Sequence, residues 1–350
     1  MANAKRCALS VGMWFLVSGP LWGCNTPVYL NALENSDALP FLLFEFREGP
    51  HIGQGKEGAG KEARANSKTG FIAKEGPGPA PNLERFLLDL SSADDPLRKQ
   101  LEEVLGQKVE KLLPAGSGPR VLVLWPLKYG PRVFWSGPLK DLDFNRLTDS
   151  PARRALARQL LQRRVVVWLF VPSGDKAQDA KAEEVLRERL KRMEQEIRLP
   201  AAKDESSPSQ AAGGAETQLV AVKAKFGLLQ FEPGKPEERD FERMLHLEAL
   251  WKEKKVPLAF AVCGRGRVLT VLAGEEIAPA SIDGVCAFAV GPCSCSADPG
   301  YDLLMTVDWA AGLKRGSDIE KALPPLLAPE ASRPTSIAPR TVPAALMDGM

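Results

Sequence analysis

Val165-Val166-Val167-Trp168-Leu169-Phe170-Val171, followed by Pro172-Ser173-Gly174-Asp175, decides the fold. An apolar run this short, closed by turn residues, predicts a strand buried on both faces at the centre of a sheet. Pro172 to Asp175 then turns the chain into a long helix with Leu186, Leu190, Met193 and Ile197 on one face, ending at Pro200. A polar Ser/Ala/Gly-rich loop at 201–217 precedes renewed strand signal at 219–231. A helix follows with Phe241, Met244, Leu247 and Trp251 as its core stripe. Val256-Pro257 leads into a strand at 258–263, the turn Gly264-Arg265-Gly266, a partner strand at 268–272 and a helix at about 279–288. Strands alternating with helices make the chain α/β.

Upstream, Phe41-Leu42-Leu43-Phe44-Glu45-Phe46 reads as a buried strand, and residues 47–82 as a flexible Gly/Lys/Pro-rich insertion. Residues 83–113 place Leu83, Phe86, Leu87 and Leu90, then Leu97, Leu101, Val104, Leu105, Val109 and Leu112, at helical spacing with a restart at Asp94-Asp95-Pro96. Val121 to Trp125 and Arg132 to Trp135 flank Lys128-Tyr129-Gly130-Pro131 as a hairpin. Asp149-Ser150-Pro151 joins an N-cap to a Pro at the first helical position and predicts a helix to about Arg164. This hairpin and helix echo the pair at 258–288, so a second, degenerate α/β module is expected ahead of the first.

The element order from 165 to 288, with a Pro just before the third strand, resembles a thioredoxin-like fold. The resemblance implies a three-layer module at about 165–290 and makes Pro257 the candidate for that family's cis-Pro. It also implies a reactive dithiol after the first strand. That place holds Pro172-Ser173-Gly174-Asp175. Dithiol exchange needs one thiolate to attack and a second thiol to resolve, so thioredoxin-type activity is not expected.

The N-terminus carries an address. Lys5 and Arg6, an apolar run through Leu16 and Val17, and Leu21-Trp22-Gly23-Cys24 have the layout of a secretory signal. Its end resembles the bacterial lipobox, with Leu21, a small Gly23 and Cys24 as the lipidated residue; Trp22 departs from that pattern. The expected partition is a lipoprotein-type signal peptide at 1–23 and an N-terminal segment with the first strand at 24–46. The insertion at 47–82 and an α/β module at 83–164 follow. The thioredoxin-like module with a Cys-rich C-terminal loop covers 165–310, and a Pro/Ala-rich tail covers 311–350. Cys24-Asn25-Thr26-Pro27-Val28, Cys293-Ser294-Cys295 and Tyr301-Asp302-Leu303-Leu304 together resemble uncharacterised exported lipoproteins of planctomycete-type bacteria. That resemblance implies extracytoplasmic anchoring at a membrane and brings no activity with it.

The 350 residues hold 46 Lys and Arg against 44 Asp and Glu, a formal net charge of +2, so no field on the scale of nucleic-acid binding is expected. Gly55-Lys56-Glu57-Gly58-Ala59-Gly60-Lys61 fits the start of a P-loop, and Gly53 to Gly58 fits GxGxxG. Position eight is Glu62, where the loop needs a Ser or Thr hydroxyl, so no nucleotide partner is expected. Cys263, Cys286, Cys293 and Cys295 cluster late. In an exported domain they can form a disulfide staple, such as Cys286 to Cys293 or Cys295, stay as unpaired thiols in the core, hold a soft ion such as Zn²⁺ or Cu(I), or serve a redox step. His51 and His246 read as surface or structural residues. Arg153, Arg154, Arg158, Arg163 and Arg164 read as a solvated basic face opposite the acidic helix at 183–196.

The expected function is a lipid-anchored, non-catalytic binding or scaffold protein of the bacterial cell envelope, with no catalytic residue and no resident cofactor. Its expected partners are the membrane and an unknown envelope protein. The alternative is an envelope metal-handling or thiol-redox protein using Cys293 and Cys295.

Overall fold

The structure is a computed structural model that describes residues 26–48, 79–92, 94–116, 118–199, 222–292, 300–314 and 316–324. The chain enters through a helical turn, α1 (Val28–Leu30), which runs on as a π-helical turn at Asn31–Asn35. Strand β1 (Phe41–Arg47) follows, and its first six residues are all buried. Burial on both faces gives β1 a central place: the first sheet has the order β2-β1-β3-β4. Here β2 is Leu83–Asp89, β3 is Arg120–Leu124 and β4 is Val133–Pro138, with α2 (Pro96–Leu105) between β2 and β3. β1 runs parallel to β2 and antiparallel to β3, and β3 runs antiparallel to β4.

The helix expected from residue 83 is therefore corrected. Its first part is the strand β2, and helix begins only at Pro96, capped by the Asp95 carboxylate on the Leu97 and Arg98 amides. The 83–90 apolar spacing suits either state, and seven paired positions with β1 decide for the strand.

After α3 (Phe144–Thr148), Ser150 caps α4 (Pro151–Leu161), with Pro151 in its first turn as its fixed φ favours. The apolar run becomes β5 (Val167–Val171), buried at every position. Each such side chain contributes about 1.5–3 kcal/mol when taken out of water, so only a central strand accommodates the run. Helix α5 (Lys176–Glu196) follows, then a small ladder of β6 (Arg198–Leu199) with β7 (Val222–Lys223), and β8 (Gly227–Gln230). The single helix expected over Phe241 to Trp251 is two pieces, α6 (Arg239–Met244) and α7 (Leu247–Leu250), parted by His246 at φ 55°. Strands β9 (Leu258–Cys263) and β10 (Arg267–Ala273), helix α8 (Pro279–Val290), the two-residue β11 (Tyr301–Asp302) and α9 (Trp309–Gly312) complete the order.

The second sheet runs β11-β10-β9-β5-β8. Without β11, its order and polarity repeat the first sheet strand for strand. β5 is parallel to β8 and antiparallel to β9, and β9 is antiparallel to β10. The repetition reaches single residues. Pro119 and Pro257 each stand immediately before the third strand of their sheet. Leu139 and Gly274, each the first residue after the fourth strand, donate their N–H to those prolines' carbonyls at 2.9 and 2.8 Å. A 3₁₀ turn follows in both copies, Leu139–Asp141 and Gly274–Glu276.

Three apolar cores order the layers. Leu42, Phe44, Phe46, Phe86 and Leu88 pack with Leu101 of α2 on the outer face of the first sheet. Trp168, Phe170, Ala259, Ala261 and Cys263 pack with Leu186, Leu190 and Met193 of α5 and Ile282 and Cys286 of α8 on the outer face of the second. Between the sheets lies the largest core. Phe41, Leu43, Val121 and Val123 meet Val167, Leu169, Phe260 and Val262 across side chains of α4, α6 and residues 303–323. This corrects the tail expected from residue 311. Ala322 and Leu323 are buried in that central core, and Leu161 packs within van der Waals reach of Gly312; residues 325–350 lie outside the described residues.

Candidate functional site

Cys24, His51, the glycine-rich run 53–62, Cys293 and Cys295 lie outside the described residues. Cys263 and Cys286 are buried in the outer core of the second sheet, and Cys286 is a free thiol. Burial pushes the Cys286 thiol up to about 12, against a lesser opposing effect of the Trp168 indole N–H. A thiol so poised stays protonated and inert at neutral pH. Cys286 thus sits as an apolar core residue, and the expected partners of a staple, Cys293 and Cys295, lie outside the described residues. Among the described residues no group of three or more His, Cys, Asp and Glu side chains is placed to hold a metal ion, and no helix is long and apolar enough to cross a membrane.

Pro257 departs from expectation as well. No peptide bond among the described residues is cis. The carbonyls on either side of the Val256–Pro257 bond are held by the Trp251 indole N–H and the Gly274 N–H, each at 2.8 Å, in the isomer an X–Pro bond favours by about 0.5–1 kcal/mol.

The turn after β5 is closed by its own carboxylates. Asp179 accepts from the Ser173 N–H and hydroxyl at 2.8 Å and from the Gly174 N–H at 2.9 Å. Asp175 caps the Ala177 and Gln178 amides. With these donors taken, Ser173 is no activated nucleophile, and the start of α5 has no vacancy for an anion.

The arginines of α4 and of the residues just after it do not form the expected basic face. Arg154 pairs with Asp149, Arg158 with Glu320 at 2.7 Å, and Arg163 with Glu34. The acids of α5 pair instead within their own helix, as in Arg187 with Glu183 and Arg192 with Glu196. Arg153 is buried. Its guanidinium donates to the carbonyls of Arg146, Leu147 and Leu304 and lies over the Phe241 ring. Burial lowers its pKa to about 10, opposed by the charges of Asp149, Glu238 and Asp240, so it remains a cation at neutral pH.

Polar and aromatic groups converge where the two sheets meet. Trp125, at the end of β3, is buried and stacks on His246, ring centroids 4.8 Å apart and 15° from parallel. Tyr301 meets the edge of the Trp125 indole at 5.8 Å and the His246 ring at 5.5 Å. The Arg132 guanidinium lies 5.9 Å from the Trp125 centroid. It is placed there by the β3–β4 hairpin, which the Trp125 N–H closes on the Arg132 carbonyl. Beside this cluster the Asp302 carboxylate accepts from Arg267, from the Tyr129 hydroxyl at 3.2 Å and from the Leu39 N–H at 3.1 Å. Asn82 ties the same segment to the first sheet. It donates to the carbonyls of Leu39 and Leu303 and accepts from the Met305 N–H at 2.7 Å.

No family model, curated protein or solved structure matches the chain. The site is therefore read from its own chemistry. Trp125 carried a sequence signal as a core residue of a strand. Arg132 was read only as part of a hairpin, and Tyr301 and Asp302 only as part of a segment whose resemblance brings no activity, because a hairpin, a joint between two helices and a C-terminal segment supply the cluster. The backbone of His246 lies in the left-handed region at φ 55°, which ends α6 and turns its ring toward Trp125.

Proposed function

We propose that the chain is a lipid-anchored, extracytoplasmic binding or scaffold protein of the bacterial cell envelope, with no catalysis of its own. It is built on a thioredoxin-like module at about 165–290 preceded by a degenerate copy of the same module. The observation that carries this reading is the repeated strand order with its paired Pro119 and Pro257, combined with a turn after β5 whose donors are occupied by Asp175 and Asp179. A scaffold that keeps the module and fills its reactive turn with internal hydrogen bonds is suited to holding partners. The trans bond before Pro257 is a departure from the thioredoxin pattern and weighs further against dithiol chemistry.

Two measurements test it. Cys24→Ala is expected to move the protein from the membrane fraction to the soluble envelope fraction; unchanged membrane association would reject the anchor. The purified chain is expected not to accelerate the reduction of insulin by dithiothreitol above the uncatalysed rate. Accelerated reduction would reject the non-catalytic reading.

One observation favours a second reading, in which Cys293 and Cys295 handle a soft metal ion such as Zn²⁺ or Cu(I), or a thiol-redox step. The free, buried Cys286 is not spent on a staple with either of them. Thiol titration of the folded protein with metal analysis separates the readings: no reactive thiol and no bound metal would remove the second.

A further inference from the structure

We propose that the outward face of α8 is a membrane-contact surface, laid on phospholipid beside the lipid anchor at Cys24, on whose presence it depends. Helix α8 packs Ile282, Cys286 and Ala289 into the outer core of the second sheet. The opposite side of such a surface helix is ordinarily charged or polar. Here it holds Ala280, Gly284, Ala287 and Phe288, all exposed and at the i, i+4, i+7, i+8 spacing of one stripe. Nothing lies within 4 Å of the place where a Cβ on Gly284 would stand. Phe288, 38% exposed, is one of three large apolar side chains left open to solvent among the described residues. Pro292, just beyond the helix, is exposed as well. The one charged residue of α8, Asp283, lies beside the stripe and is spent on Arg189 of α5 through two hydrogen bonds.

Position selects the occupant. The N-terminal segment meets α8 at its Phe288 end, where the Val28 N–H donates to the Gly291 carbonyl and Pro27 bridges to Pro292. Cys24 stands three residues before Pro27, so acyl chains on Cys24 bring the bilayer to the apolar end of the stripe. The exposed acids Glu275 and Glu276 stand before the other end of this 12-residue helix, about 18 Å away along its rise, where they stay in water. The chemistry of the face agrees. None of its four side chains can donate or accept a hydrogen bond, so it offers a protein partner none of the directional contacts of an interface. Burial in hydrocarbon asks only for apolar surface. At 12 residues α8 is too short to span a bilayer, and it lies in the plane of the interface.

The full-length chain, processed in a bacterial envelope, is reconstituted into vesicles of phosphatidylethanolamine and phosphatidylglycerol and carries one photoreactive residue. Phe288→benzoylphenylalanine puts the probe on the stripe. Val133→benzoylphenylalanine puts it at the exposed start of β4, in the other sheet. Irradiation is expected to yield a phospholipid adduct, identified by mass, at position 288 and several-fold less at position 133. Ala287→Glu, which replaces only an exposed methyl, is expected to leave the chain floating with the vesicles and to cut the adduct at 288 by about fivefold or more, because hydrocarbon expels a carboxylate. Flotation keeps the two readings apart. A chain that does not float rejects the anchor and this surface with it. A chain that floats without a lipid adduct at 288 rejects the surface alone. The surface is equally overturned by adducts at 288 to a second copy or to residues 293–299 of the same chain in place of lipid, by equal lipid adducts at 288 and 133, or by an adduct unchanged in Ala287→Glu.

Discussion

Arg267 grips Asp302 with two parallel hydrogen bonds, Nε to Oδ1 at 2.9 Å and Nη2 to Oδ2 at 3.1 Å, and both side chains are buried. The same carboxylate holds Leu39 and Tyr129 of the first half of the chain. One anion thus joins two sheets that share no ladder hydrogen bond. Removing one partner of a buried pair leaves the other uncompensated, at about 3–5 kcal/mol. Asp302→Asn is expected to lower unfolding free energy by that order. A double-mutant cycle with Arg267→Met, measured by urea denaturation, should recover part of the loss; strict additivity would mean that the pair carries no coupling.

Arg153 serves three backbone carbonyls from two parts of the chain, those of Arg146 and Leu147 and that of Leu304. A lysine ammonium cannot copy the planar fork that reaches all three. Arg153→Lys is expected to cost about 2–4 kcal/mol. Native-state hydrogen exchange should show the loss at residues 303–307 and in α3 together. Loss confined to α4 would contradict the bridging role.

Glu45, fully buried in β1, gives a pH-dependent contribution. Burial alone would raise its pKa, but the hydrogen bonds and charges of Arg85 and Arg47 outweigh that and hold it below the ordinary value. A depressed carboxyl stabilises the fold fully above the unfolded value of about 4.3 and loses that contribution as pH falls through the folded pKa. Glu45→Gln is therefore expected to be less stable at pH 7 and to show a shallower decline of stability below about pH 4.3. Parallel acid limbs for the two proteins would refute this.

Cys286, with its pKa pushed up to about 12, should not react with Ellman's reagent in the folded protein at pH 8 and should react once the chain is denatured. Cys286→Ala is expected to leave the native thiol count unchanged. A count lowered by one would show that the thiol is exposed in solution.

The elements with unambiguous local patterns were legible in the sequence: β5, α5 after its Pro172-to-Asp175 turn, the hairpins on either side of Tyr129 and Arg265, and the Ser150-Pro151 start of α4. β2 was not, because its apolar spacing fits a helix and its true partner, β1, lies beyond a long insertion. The break at His246 was hidden for another reason. A left-handed residue that is neither Gly nor Asn leaves no local mark, and the stack on Trp125 that rewards it comes from the other sheet. The seam cluster was illegible for the same cause. Its side chains are ordinary one by one, and only tertiary packing gathers them.

Pro27 pairs with Pro292, and the Val28 N–H donates to the Gly291 carbonyl at 3.0 Å. For a chain tethered at residue 24, that single stitch sets the mechanics of attachment. Three residues extend no further than about 11 Å, so the folded body would ride on a short hinge rather than a leash, with the last turn of α8 pressed toward the lipid headgroups. The chain leading to Cys293 and Cys295 departs from the same stitch. Any pull on the anchor would be felt first at that end of α8, and a partner in solution would approach from the opposite side.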